Sequence, residues 1–171
     1  MKNRRGISGV ITVVILIALV MTIAGIVWAV VNNLVKEELE GAGSCFGIFG
    51  KVNLNSRYTC YNSSQELLFS ISIGDVDVDE ALIGISGQGT GVSFKLSSQA
   101  GPIDNVFTYP DRSADVSLPS KNSGLTYIFD LAGAGFSGTP DSVSIAPIIK
   151  GNQCGVSDTL GEIANCASLN L

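Results

Sequence analysis

The sequence predicts an α+β chain, a long N-terminal hydrophobic helix followed by an all-β, sandwich- or barrel-like globular domain. Three observations predict it. Twenty-two residues without a charge run from Val10 to Val31. A stretch of good helix formers continues to Glu40 and stops at Gly41-Ala42-Gly43-Ser44, a composition that caps helix C-termini. From residue 45 onward, short β-rich runs alternate with Gly, Ser, Asn and Asp clusters. The expected organisation is a basic head at 1–6, a helix at 7–44 and a β-rich domain at 45–171.

The helix comes first. At ~1.5 Å rise per residue, the uncharged run spans roughly 33 Å, the hydrocarbon thickness of a bilayer. A helix closes its backbone hydrogen bonds within itself, so this segment is helical in lipid. Lys2, Arg4 and Arg5 precede the run, while Glu37, Glu38 and Glu40 outnumber Lys36 after it. The positive-inside rule then places the N-terminus in the cytoplasm and the remainder outside. Ala18, Thr22, Gly25 and Ala29 recur at helical spacing and share one face. Small residues on one face let apolar helices approach closely, so this face is the expected self-association surface of the helix.

A conventional secretory signal has a shorter apolar region and a small-x-small cleavage site. This chain has Arg4-Arg5-Gly6 joined at once to Ile7-Ser8-Gly9-Val10 and the apolar run. That junction resembles the class III signal of archaeal type IV prepilins, over about the first 35 residues. Bacterial pilins carry a glutamate at the fifth mature position, where Ile11 stands here; many archaeal adhesion pilins have a proline where Gly9 stands. The resemblance implies cleavage between Gly6 and Ile7 by a prepilin peptidase. It also implies passage from the membrane, by the pilus assembly machinery, into a homopolymeric helical filament at the cell surface. Archaellins, the motility-filament subunits, share this plan. A minor pilin-like subunit and a single-pass membrane-anchored extracellular binding protein are the other readings.

Charge and composition restrict function. The net charge is −5; without Met1–Gly6, seven basic residues face 15 acidic ones, for −8. An acidic chain is a poor partner for nucleic acid. Histidine is absent, which removes His-based triads and imidazole metal ligands. The expectation is a non-enzymatic chain with no catalytic residues, cofactor or metal.

In the β-rich part, strands are expected at Ile48–Tyr61, Leu67–Ile73, Ala81–Ile85, Val92–Leu96, Val106–Tyr109, Val116–Leu118, Leu125–Leu131 and Val143–Ile149. Val52, Leu54, Tyr58 and Cys60 would share one face of the first. Four cysteines in an exported chain predict two disulfides. If 46–60 is extended, Cys45 and Cys60 lie tens of ångströms apart at ~3.3 Å per residue, and pair with Cys154 and Cys166. A hairpin turn near Asn53–Ser56 would instead bring Cys45 to Cys60, so both connectivities stand.

Three motifs remain. Asn62-Ser63-Ser64 is an N-glycosylation sequon on an expected turn. Gly133-Ala134-Gly135-Phe136-Ser137-Gly138 has the letters of a dinucleotide loop but precedes an expected strand, not the required helix, so it reads as a loop. Asp75-Val76-Asp77-Val78-Asp79-Glu80 opens like a calcium loop but lacks the glycine at the sixth position and the glutamate at the twelfth. It reads as a solvated acidic edge.

Overall fold

The computed structural model describes residues 5–169; of residues 5–8 and 37–44 it describes the backbone only. The chain divides into two units, Met1–Gly41 and Ala42–Leu171. One α-helix, α1, covers Arg5–Phe46. It runs through the Gly41-Ala42-Gly43-Ser44 segment where the sequence predicted a stop. Glycine weakens a helix but ends it only where the chain adopts the left-handed conformation. The helix ends at Phe46, where the Ile48 N–H donates to the Cys45 carbonyl at 3.3 Å; a turn follows with Gly50 left-handed (φ +71) and the Lys51 N–H donating to the Ile48 carbonyl at 2.8 Å.

The second unit is β-rich. Its strands are β1 (Val52–Leu54), β2 (Cys60–Tyr61), β3 (Glu66–Ile73), β4 (Glu80–Gly87), β5 (Thr90–Ser97), β6 (Gly101–Pro102) and β7 (Val106–Thr108). There follow β8 (Asp115–Val116), β9 (Ser123–Asp130), β10 (Ser142–Ile149), β11 (Asn152–Gln153), β12 (Asp158–Gly161) and β13 (Ala164–Asn165). One sheet has the order β13-β2-β3-β9-β7, with β1 also on β3. A second has the order β11-β10-β4-β5, with β12 also on β10. β6 and β8 form a small third sheet. Pairing is antiparallel except between β13 and β2, which run parallel.

Period-two alternation builds the core. Leu67, Phe69, Ile71 and Ile73 of β3 are buried, as are Ala81, Ile83 and Ile85 of β4, Tyr127 and Phe129 of β9, and Val143 and Ile145 of β10. Phe94 of β5 joins the two large sheets: its ring centroid lies 6.1 Å from Phe69 and 5.2 Å from Phe129. The sheets share this core but do not close into a barrel, which corrects the barrel alternative. The β4–β5 hairpin turns on Gln88 (φ +47) and Gly89 (φ +80), the two left-handed positions that a tight two-residue hairpin requires.

The expected strand Ile48–Tyr61 is not one strand. It breaks into a turn, β1, a 3-10 turn at Ser56–Tyr58, and β2. Asn55 causes the break. Its side-chain oxygen accepts from the Arg57 N–H at 3.0 Å, and its carbonyl accepts from the Thr59 hydroxyl at 2.8 Å. Val52, Leu54 and Cys60 stay buried, while Tyr58 turns outward. Two disulfides join Cys45 to Cys154 and Cys60 to Cys166, with Cα atoms 5.5 and 5.0 Å apart. Each ties an N-terminal cysteine to the C-terminal segment, although the unbroken strand on which that pairing was argued does not exist.

Candidate functional site

Between Gly9 and Lys36, the most apolar 18-residue stretch of helix α1 has a mean hydropathy of 3.0, and none of that stretch is buried within the chain. It is long and apolar enough to cross a membrane. Ala18, Thr22, Gly25 and Ala29 lie on one exposed face. Nothing stands within 4 Å of where a side chain on Gly25 would begin. The Thr22 hydroxyl donates to the Leu19 carbonyl at 2.8 Å, so its polar group is satisfied inside its own helix and brings no cost to an apolar setting. Arg4 lies outside the described residues. Arg5, Gly6 and Ile7 fall within the backbone of α1, and their side chains lie outside the description.

On the β unit, Phe46 and Phe49 are 88% and 90% exposed and border an apolar cleft of about 390 Å³ with Ile48, Pro147 and Val156. Aromatic side chains this exposed are the kind of patch that marks contact surfaces.

A second cleft, of about 300 Å³, opens on the outer face of the first sheet. Leu68 of β3 and Ile128 of β9, cross-strand partners, lie at its base. Tyr58, Tyr109, Asn62, Glu66 and Arg112 line it as well. The Asn62 side-chain oxygen accepts from the Ser64 and Glu66 N–H groups, each at 3.0 Å, and its amide donates to Glu66 Oε2 at 2.9 Å. The sequon nitrogen is therefore held by a carboxylate. Glu66 Oε1 takes the Arg112 guanidinium. Arg112 has φ +55, an uncommon conformation for a residue with a Cβ, and its N–H donates to the Thr108 carbonyl at 2.9 Å.

The acidic stretch does not gather. Asp75 pairs with Lys121 at 3.0 Å, Glu80 with Lys95 at 3.4 Å, and Asp79 accepts from the Lys150 N–H at 2.6 Å. Lys121 beside Asp75 holds that carboxyl below its ordinary value. Among the described residues, no three metal-ligating side chains come together. The glycine-rich stretch Gly133–Gly138 is a chain of turns leading to β10, without a helix to hold a phosphate.

No protein-family model, curated protein or solved structure matches this chain. Of the residues singled out in the sequence, the structure brings together the cysteines in two pairs, keeps the four small helix residues on one open face, and sets Asn62 in a cleft. The sequence placed Tyr58 on the inward face of a strand and Tyr109 at a strand end, and gave Arg112 no role. Tyr58 alternates with Leu54 and Cys60 and so looked inward-facing; the signal against this was Asn55, a residue that competes with strand pairing. Tyr109 and Arg112 flank Pro110-Asp111, a pair whose composition suits a turn but does not say what the turn faces.

Proposed function

We propose that this chain is the structural subunit of an archaeal type IV pilus-like extracellular filament, polymerising through its N-terminal helix and serving surface adhesion. The observation that carries the reading is the bare helix, apolar on every side from Val10 to Val31 and unburied, in a chain with a disulfide-stapled acidic β unit. Such a helix persists only in lipid or among helices like itself. The precursor sits in the cytoplasmic membrane with its basic head inside, a prepilin peptidase removes Met1–Gly6, and the assembly machinery transfers the helix into the polymer. Head-to-tail contacts between identical subunits do not close on themselves and give an open filament. Exposed Phe46 and Phe49 provide a further apolar surface for subunit contact.

N-terminal sequencing of exported protein, with electron microscopy of sheared surface filaments, tests the reading. A mature chain beginning at Ile7 within filaments is the expected result. A chain that begins at Met1, or that is cut beyond Val31, overturns it. The second reading, a single-pass anchored binding protein, is favoured by the cleft around Tyr58 and Tyr109. It retains Met1–Gly6 and stays monomeric in detergent. An archaellin would use the same helix, and loss of swimming on deletion would distinguish it.

A further inference from the structure

We propose that the cleft on the outer face of the first sheet binds a neutral saccharide. Its base is apolar: Leu68 and Ile128 are cross-strand partners, with Cys60 opposite Leu68 and Phe107 opposite Ile128 in the same register. Leu68 and Ile128 alternate with the core residues of their strands, and Ser70, Ser72 and Thr126 share their outward register. Tyr58 and Tyr109 stand beside them, 45% and 52% exposed. Asn62, Glu66 and Arg112 add amide, carboxylate and guanidinium groups, beside Pro110 and Cys166.

A sugar ring is the complement of this surface. Its C–H face lies against aromatic rings, which combine an apolar body with a polar tip. Its hydroxyls both donate and accept, and planar amide, carboxylate and guanidinium groups serve them in pairs. Arg112 and Glu66 form an ion pair, so their charges cancel and the site suits a neutral ring better than an acidic sugar. The volume lies at the small end of ligand sites, of about 300–1,000 Å³, and fits one or two rings.

The walls are held before any ligand arrives. Asn55 caps the 3-10 turn that presents Tyr58. The Tyr109 N–H donates to the Thr126 carbonyl at 2.9 Å, fastening the 109–112 loop to β9. The ring comes either from outside or from a glycan carried on Asn62, which lies in the wall itself. In the second case the sugar linkage replaces one of the two hydrogens on the Asn62 nitrogen. Neither case depends on polymerisation.

The test uses the full chain, made in a host without N-glycosylation and held in a sugar-free zwitterionic detergent. N,N′-diacetylchitobiose, lactose and maltose are titrated by saturation-transfer NMR, with sialyllactose as the acidic comparison. At least one neutral disaccharide binds, more tightly than the acidic one, and Tyr58→Ala and Tyr109→Ala each weaken it roughly tenfold without changing the circular dichroism. If an alanine variant misfolds, Arg112→Gln takes its place. Chain glycosylated at Asn62 then separates the sources: unchanged binding identifies an external sugar, and binding restored only by Ser64→Ala, which removes the sequon and keeps the Asn62 side chain, identifies the chain's own glycan. Absence of transfer from all three neutral sugars, or binding that the variants leave intact, overturns the proposal.

Discussion

Tyr127 is fully buried, its ring stacked 5.1 Å from Phe69, and its hydroxyl donates to the Ser117 carbonyl at 2.6 Å. Removing that hydroxyl in Tyr127→Phe keeps the ring but leaves a carbonyl without its donor, at a cost of about 1–2 kcal/mol. Urea denaturation should show a lower midpoint with an unchanged slope. Burial also pushes the Tyr127 hydroxyl well above its ordinary value of 10.0. The unfolded chain then loses this proton at lower pH than the folded one. Stability is complete below pH 10.0 and falls as pH rises beyond it, because deprotonation favours the unfolded state. Denaturation midpoints measured across pH 9–12 should decline less steeply in Tyr127→Phe than in the native chain.

The helix makes its own demands. If Ala18, Thr22, Gly25 and Ala29 pack against neighbouring subunits, Gly25→Leu blocks filament formation while export and the β unit survive. A leucine on a close-packed face forces the partner backbone away, at about 1–3 kcal/mol per contact. In a polymer that penalty recurs at every subunit. Leu16→Ala, on another face, controls for lost apolar area and should leave filament yield closer to normal. The readout is subunit in the sheared fraction against subunit retained in the membrane. Normal filaments from Gly25→Leu would remove the small-residue face from the assembly interface.

At the scale of the molecule, the two disulfides hold the C-terminal segment against the start of the β unit. They close loops with separations of 109 and 106 residues, and the loops overlap. Cross-links over such spans restrict the unfolded chain, and losing one typically costs about 2–5 kcal/mol. Replacing Cys45 and Cys154 together by serine avoids a lone reactive thiol and should destabilise the β unit by that amount. Replacing all four cysteines should cost less than the sum of the two pairs, because the loops share most of their residues. Chemical denaturation in detergent, followed by far-ultraviolet circular dichroism, measures both. Equal stability with and without reductant would show that the core suffices alone.

Much of the architecture is present in the order of residues. The uncharged run Val10–Val31 specifies a helix because lipid and apolar surroundings admit no unsatisfied backbone. Strands such as β3 and β9 could be read because burial on one face imposes strict alternation, and the β4–β5 turn because Gly87-Gln88-Gly89 suits left-handed backbone. Other features depend on contacts distant in sequence. β11, β12 and β13 are two to four residues long and carry little pattern of their own; each is a strand because β10 or β2 offers it hydrogen bonds. Whether Cys45 meets Cys60 or Cys154 depended on whether the intervening chain stays extended, which Asn55 and the turn at Gly50 decide locally and the C-terminal segment decides globally. The cleft was least legible of all. Tyr58, Asn62, Leu68, Tyr109, Arg112 and Ile128 come from four separate stretches, and only the pairing of β3 with β9 and of β9 with β7 brings them to one face. Sequence by itself determined the helix, the β-rich texture and the acidic net charge, since these follow from local periodicity and composition. The tertiary structure decided the cysteine pairing, the separation into unclosed sheets and the assembly of the cleft, because each depends on which distant segments meet.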